Sequence, residues 1–204
     1  MWQTVLTITV VASLAMMSPG PDFFMVAKNA ARYSRKAALM TTLGVNLGIV
    51  FHMTYCIAGL ALVIAGTPWL FTILKYAGAA YLIWIGIQAL CSRAGTSLDV
   101  AAGAVQTVTY RQAFMQGFLC NVLNPKATLF FLSVFTQILQ PHSTLGEKAL
   151  IGGVILLLGL VYWPLVVVAI QHPRVVRVLS HTQTFLDRLL GGVLVALGLK
   201  VALS

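Results

Sequence analysis

Negative charge is almost missing from this sequence. Of 204 residues only four are acidic, against thirteen Lys and Arg; charged residues make up 8% of the chain and mean hydropathy is +0.93. A water-soluble domain carries about 25% charged residues. The composition therefore excludes one and indicates an integral membrane protein, with no soluble domain left over. Cysteine is scarce as well. Cys56, Cys91 and Cys120 lie far apart and form no C-x-x-C pair, which argues against a redox motif or a zinc site and leaves them as packing residues. There is no G-x-x-x-x-G-K-[ST] phosphate loop, no metal-ligand spacing, and no Ser, His and acid set at a plausible shared depth. An enzyme is not expected, nor any cofactor or metal. Transport would have to draw on an ion gradient rather than on ATP bound to this chain.

The net charge of +9 does not indicate a nucleic-acid partner, because the basic residues are scattered at segment ends without a long run or interleaved aromatics. Membrane orientation explains them better. Apolar runs of about 20 residues, the length that crosses a bilayer, predict six spans near 2–27, 38–65, 69–90, 112–139, 148–171 and 183–203. Residues 1–17 lack a positive n-region and an A-x-A site, and apolar sequence resumes at Phe23, so they read as a retained first span. Lys28, Arg32, Arg35, Lys36, Arg93, Arg111, Arg174 and Arg177 follow spans one, three and five. By the positive-inside rule those loops are cytoplasmic and both termini face outward.

Two spans are interrupted. The first contains "SPGPD" at residues 18–22 and the fourth contains "NPK" at 124–126. Proline lacks a backbone donor and clashes with the preceding turn, and the residue before it resists the helical region. Pro19 and Pro21 around Gly20 should therefore open the first helix, and Pro125 the fourth. The freed backbone groups cannot face lipid, so each break must be buried in protein or line a watery cavity.

Each break also resembles the other, as a polar residue, a proline and then a Phe pair, and "YLIWIGIQ" (81–88) resembles "VLVALGLK" (193–200), aligning Gly86 with Gly198. The polar stretch at 91–111 separates repeat one (about 1–92) from repeat two (about 110–204) within a single transmembrane domain. Three spans per repeat turn the second copy upside down. The expected fold is thus all-α, with six transmembrane helices in two inverted three-helix repeats and the first and fourth helices broken; in transporters so built, the broken helices meet at a midplane site.

Ser18, Pro19, Gly20, Pro21, Asp22, Asn124, Pro125 and Lys126 are accordingly the candidate substrate or ion site. Asp22 has two readings. It could cap the resumed helix, or it could hold a substrate ammonium or exchange a proton, since an ionisable group inside a membrane is costly. Lys126 could snorkel to an interface, pair with Asp22, or join the N–H groups of the restarted helix in attracting a carboxylate. An acid and an anion-attracting break together suit a zwitterion, and an amino acid is the obvious cargo. Asn46 and Tyr81 are placed near the cavity, although Asn46 between Gly44 and Gly48 also suits close helix packing with a polar bridge. His52 reads as a neutral, hydrogen-bonded histidine or one near the outer surface. Trp69, Trp84 and Trp163 read as interface or gap-filling residues.

The stretches "SPGPDFFMVAKNAARYSRKAALMTTLGVNLG", "YAGAAYLIWIG" and "RQAFMQGFLCNVLNPKATLFFLSVF" resemble the LysE/RhtB family of bacterial amino-acid exporters over the whole chain. They are most similar to its threonine and homoserine branch. The resemblance implies a protein of the bacterial cytoplasmic (inner) membrane that exports amino acids in exchange for protons, with the residues of both breaks among the motif positions. Similar motifs occur in exporters of basic or branched amino acids and of homoserine lactones. A single broken-helix acid in an apolar pathway favours a small neutral amino acid over a cation. A membrane scaffold or redox conduit is the rival class, and the sodium ion the rival coupling ion. A homodimer stays open, because packing glycines serve internal and external contacts alike.

Overall fold

The computed structural model describes residues 2–18, 20–66, 68–91, 107–138, 143–172, 185, 188–189, 191–200 and 202–203. Pro19, most of the 91–111 linker including Arg93, and Arg174 and Arg177 lie outside them. The described elements are α1 (Trp2–Met17), α2 (Pro21–Arg32), α3 (Arg35–Gly66), α4 (Pro68–Leu90), α5 (Tyr110–Val122), α6 (Pro125–Ile138), α7 (Leu145–Ile170) and α8 (Gly191–Lys200). Among the described residues no strand occurs.

Length and composition make Arg35–Gly59 of α3 and all of α7 able to cross a membrane singly. The pairs α1/α2 and α5/α6 do so jointly, bent by 57° and 55°. The chain is thus an all-helical integral membrane protein with up to four such spans among the described residues. On α7, Leu157, Val161, Leu165 and Val168 are exposed while Ile155, Gly159, Trp163 and Val166 are buried, the split expected of a helix with one face toward lipid and one toward protein.

Local sequence sets the helix ends. Thr109 with Gln112 opens α5, and Thr144 with Glu147 opens α7, each as a capping box in which side chain and backbone donors are satisfied reciprocally. Lys28, Arg32, Arg35 and Lys36 are all exposed around the α2–α3 turn.

The two halves interlock. α3 packs on α5 and α6, α7 packs on α1 and α2, and α3 and α7 meet each other, so each long helix lies against the bent pair of the opposite half. The α3–α5 contact is backbone-close. A Cβ on Gly44 would fall on the Phe114 carbonyl, and one on Gly117 on the Thr41 carbonyl.

α4 and α8 cross just as closely. A Cβ on Gly86 would stand 2.7 Å from the Gly191 carbonyl oxygen, and one on Gly198 would stand 2.8 Å from that of Ala79. Residue numbers rise along α4 as they fall along α8, so the two helices run antiparallel.

Candidate functional site

The two breaks are built alike. α2 starts with Pro21 at its first helical position after an extended Gly20, and α6 starts with Pro125 after Asn124. A proline is favoured at that position because its missing N–H would have no helical partner there anyway. The Gly20 carbonyl accepts from Phe24 N at 3.0 Å, and the Asn124 carbonyl from Thr128 N at 3.1 Å. Aligning the two helix starts puts Pro21 in register with Pro125, and therefore Asp22 with Lys126.

Asp22 does not cap its own helix. The Gly20 end of α2 has no side-chain cap, and Asp22 Oδ2 instead accepts from Asn121 Nδ2 at 2.9 Å and Asn124 Nδ2 at 3.0 Å. The acid of the first break thus clasps both ends of the second. Its other oxygen, Oδ1, is buried and accepts no hydrogen bond among the described residues, and the Cys120 thiol packs alongside the carboxylate. Asn124 has two roles, since its Oδ1 accepts from Lys126 N at 3.0 Å, capping α6, while its Nδ2 holds Asp22. Lys126 Nζ crosses in the opposite direction and donates to Ser18 Oγ at 2.9 Å.

A second layer fixes Asn121. Its carbonyl, among the last of α5, accepts from Asn124 N at 2.9 Å, and His52 Nε2 lies 2.9 Å from the same oxygen. A carbonyl only accepts, so Nε2 carries the proton, and in the neutral ring Nδ1 accepts from Tyr55 Oη at 2.7 Å. His52 is fully buried and stacked on Phe131. It is the hydrogen-bonded histidine that the sequence suggests.

Between the breaks lies a cavity of about 80 Å³. Ser18, Gly20, Asp22, Asn121, Asn124 and Lys126 give it one polar end, and its remaining wall is apolar apart from the indole of Trp163. Leu82 from α4 and Leu194 from α8 both reach it. Pro21 and Pro125 set the helix starts but are themselves exposed and do not line it.

Asn46 and Tyr81 are not part of this wall, in contrast to the sequence-based placement. Asn46 Nδ2 donates to Thr42 O at 2.8 Å and to Gly159 O at 3.5 Å, fastening α3 to α7. Tyr81 lies against the exposed Trp84, while the next residue, Leu82, reaches the cavity. One residue turns a helix by about 100°, enough to exchange the inner face for the outer. Conversely, Asn121 and Trp163 are in the wall without having been singled out for it. Asn121 sits three residues before "NPK", and that nearness to the break was the available signal.

Residues 13–204 match the family described as LysE type translocator. An uncharacterized membrane protein YrhP of Bacillus subtilis is 33% identical over 95% of this chain and 96% of its own length. Threonine efflux proteins of Salmonella typhi and Escherichia coli are 32% and 30% identical, each covering 97% or more of this chain and 97% of the relative. No solved structure matches. With the family match running through both broken spans and the cavity between them, the chain belongs to the LysE type translocator family and is a membrane transporter, not an enzyme.

Proposed function

We propose that the protein exports a small neutral amino acid of the threonine or homoserine kind from the bacterial cytoplasm, across the inner membrane and against an inward flow of protons. The observation that carries this reading is the cavity with Asp22 and Lys126 at matching positions of the two restarted helices. Asp22 Oδ1, which has no protein donor among the described residues, receives the substrate ammonium. Lys126 and the N-terminus of α6 attract its carboxylate. The apolar wall takes a short side chain. A cavity of about 80 Å³, several times the volume that admits a single water, suits a small amino acid better than a long basic one.

The threonine efflux proteins among the relatives support that choice of cargo. Asp22 is the coupling group. It binds the ammonium in one half-cycle and a returning proton in the other, and an acid at membrane depth has few other uses.

The six-span inverted repeat underlies this cycle. Its support is the α4–α8 contact: matching Gly86 with Gly198 also matches Ala79 with Gly191, and this exchange turns the Gly86–Gly191 contact into the Gly198–Ala79 contact. Parallel repeats would align α4 with α8, whereas these helices run antiparallel, as a two-fold axis in the membrane plane requires. The cavity is then exposed alternately to each side as the halves rock about α3 and α7. The charge asymmetry of the loops supports both termini in the periplasm.

The test is uptake of labelled threonine, homoserine, leucine and lysine into inverted membrane vesicles under an imposed proton gradient. Gradient-driven accumulation of the first two above empty-vector vesicles is expected. Accumulation of none, or of lysine alone, refutes the cargo assignment. Sodium dependence without proton dependence refutes the coupling.

A further inference from the structure

Once an ammonium group is assigned to Asp22 and a carboxylate to Lys126, two unpartnered polar atoms remain on residues of the cavity wall: Asn121 Oδ1, which lies against Gly48, and the indole N–H of Trp163, the donor of the two. Trp163 lines the cavity and is only 3% exposed, and its Nε1 is buried with no acceptor among the described residues. A buried indole N–H ordinarily has a partner, and leaving one unmade carries the full desolvation penalty of the group. This N–H projects from α7, the long helix that packs on α1 and α2, and not from either break. It is therefore separate from the two groups that take the zwitterion. Ile49, Leu82, Phe130, Phe131 and Ile155, which share the cavity wall with it, offer only hydrocarbon. The next residue, Pro164, lacks the N–H that would bond the Leu160 carbonyl, so α7 loses one rung of its ladder directly after the indole.

We propose that Trp163 Nε1 donates a hydrogen bond to a side-chain oxygen of the substrate, and that this contact selects hydroxylated amino acids over aliphatic ones of the same size. An indole N–H is a donor only, so it suits a hydroxyl oxygen and is left unpaired by a methyl group. Threonine and valine differ by that single replacement and fill nearly the same volume. Sites that hydrogen-bond a substrate hydroxyl reject the analogue that lacks it, because their own polar group is then stranded. The proposal rests on the amino-acid reading given above and adds the residue that sets its specificity.

The experiment is uptake of labelled threonine and of labelled valine into inverted vesicles, with the native protein and with Trp163→Phe. The native protein is expected to prefer threonine by about ten- to a hundredfold. Trp163→Phe keeps an aromatic filler without the donor, so it loses the bond to threonine and no longer strands an N–H against valine, and the threonine-to-valine ratio should collapse toward one. Native protein that carries both equally, or a Trp163→Phe variant that keeps the native preference, overturns the hydroxyl contact and leaves the amino-acid reading standing. Native protein that carries neither overturns both.

A second measurement keeps Trp163 in place, in case its replacement damages folding. Trp2, Trp69 and Trp84 are 88%, 65% and 55% exposed, so Phe at those three positions leaves Trp163 as the only indole. Threonine at saturation should shift its emission and valine should shift it less. Identical responses to the two amino acids overturn the contact.

Discussion

Asp22 and Asn121 should be energetically coupled, and the size of the coupling follows from the geometry. Asn121 is 2% exposed and donates to the carboxylate at 2.9 Å. A hydrogen bond to a charged group contributes about 1.5–3 kcal/mol and a neutral one about 0.5–1.5. Asn121→Ala should therefore destabilise the fold by about 1.5–3 kcal/mol when Asp22 is present. In the Asp22→Asn background the same change removes only a neutral bond, and the loss shrinks to about 0.5–1.5 kcal/mol. The double-mutant cycle should then give a coupling of about 1–1.5 kcal/mol. The assay is thermal unfolding in detergent at matched protein amounts, a readout that does not require Asp22 to carry substrate or proton. Equal losses in the two backgrounds, additive within about 0.5 kcal/mol, would refute the clasp between the broken helices.

Three further outcomes follow from other contacts. Lys126→Gln should cut threonine transport about tenfold or more, the worth of a charge-assisted bond, and should leave the amino alcohol of threonine unaffected; parallel losses for both compounds would remove Lys126 from carboxylate binding. Gly117→Ala forces a methyl onto the Thr41 carbonyl, whereas a Cβ on Gly153 meets nothing within 4 Å. Thermal unfolding in detergent should show the first destabilised by at least about 1–3 kcal/mol and the second unchanged or stabilised by up to about 1 kcal/mol, and equal midpoints would contradict the close α3–α5 packing. Cys91 is the exposed cysteine, at the end of α4, while Cys56 is buried and Cys120 half-buried. A membrane-impermeant maleimide should label it in inverted vesicles but not in intact cells, and the reverse pattern would invert the orientation taken from the basic loops.

The breaks were legible in the sequence because proline acts through its own backbone. Pro21 and Pro125 remove a helical donor whatever surrounds them, and α2 and α6 begin at those two residues. The choice of Asp22 as a residue with work to do also followed from local chemistry, since an acid between apolar runs needs a reason to be there. Its partners did not follow. A cap on its own helix and a ligand for cargo were both open, and the structure shows no cap but a clasp on Asn121 and Asn124, 99 and 102 residues away. Asn46 and Tyr81 show the limit from the other side, as polar residues at suitable depth that turn toward α7 and Trp84 instead of the cavity.

What the sequence alone determined is whatever depends on the residue and its immediate neighbours: residence in the membrane, from the near absence of charge; the position of both helix interruptions, from proline; and the candidate site, from an acid and a lysine beside them. Tertiary structure decided which side chains converge. The interlocking of α3 with α5 and α6, and of α7 with α1 and α2, fixes the rotation of every helix about its axis. That rotation carries Leu82 inward and Tyr81 outward, seats Asn121 beneath Asp22, and turns Trp163 toward the cavity. A difference of one residue in register is about 100° of helix rotation, and only packing between helices selects among such registers.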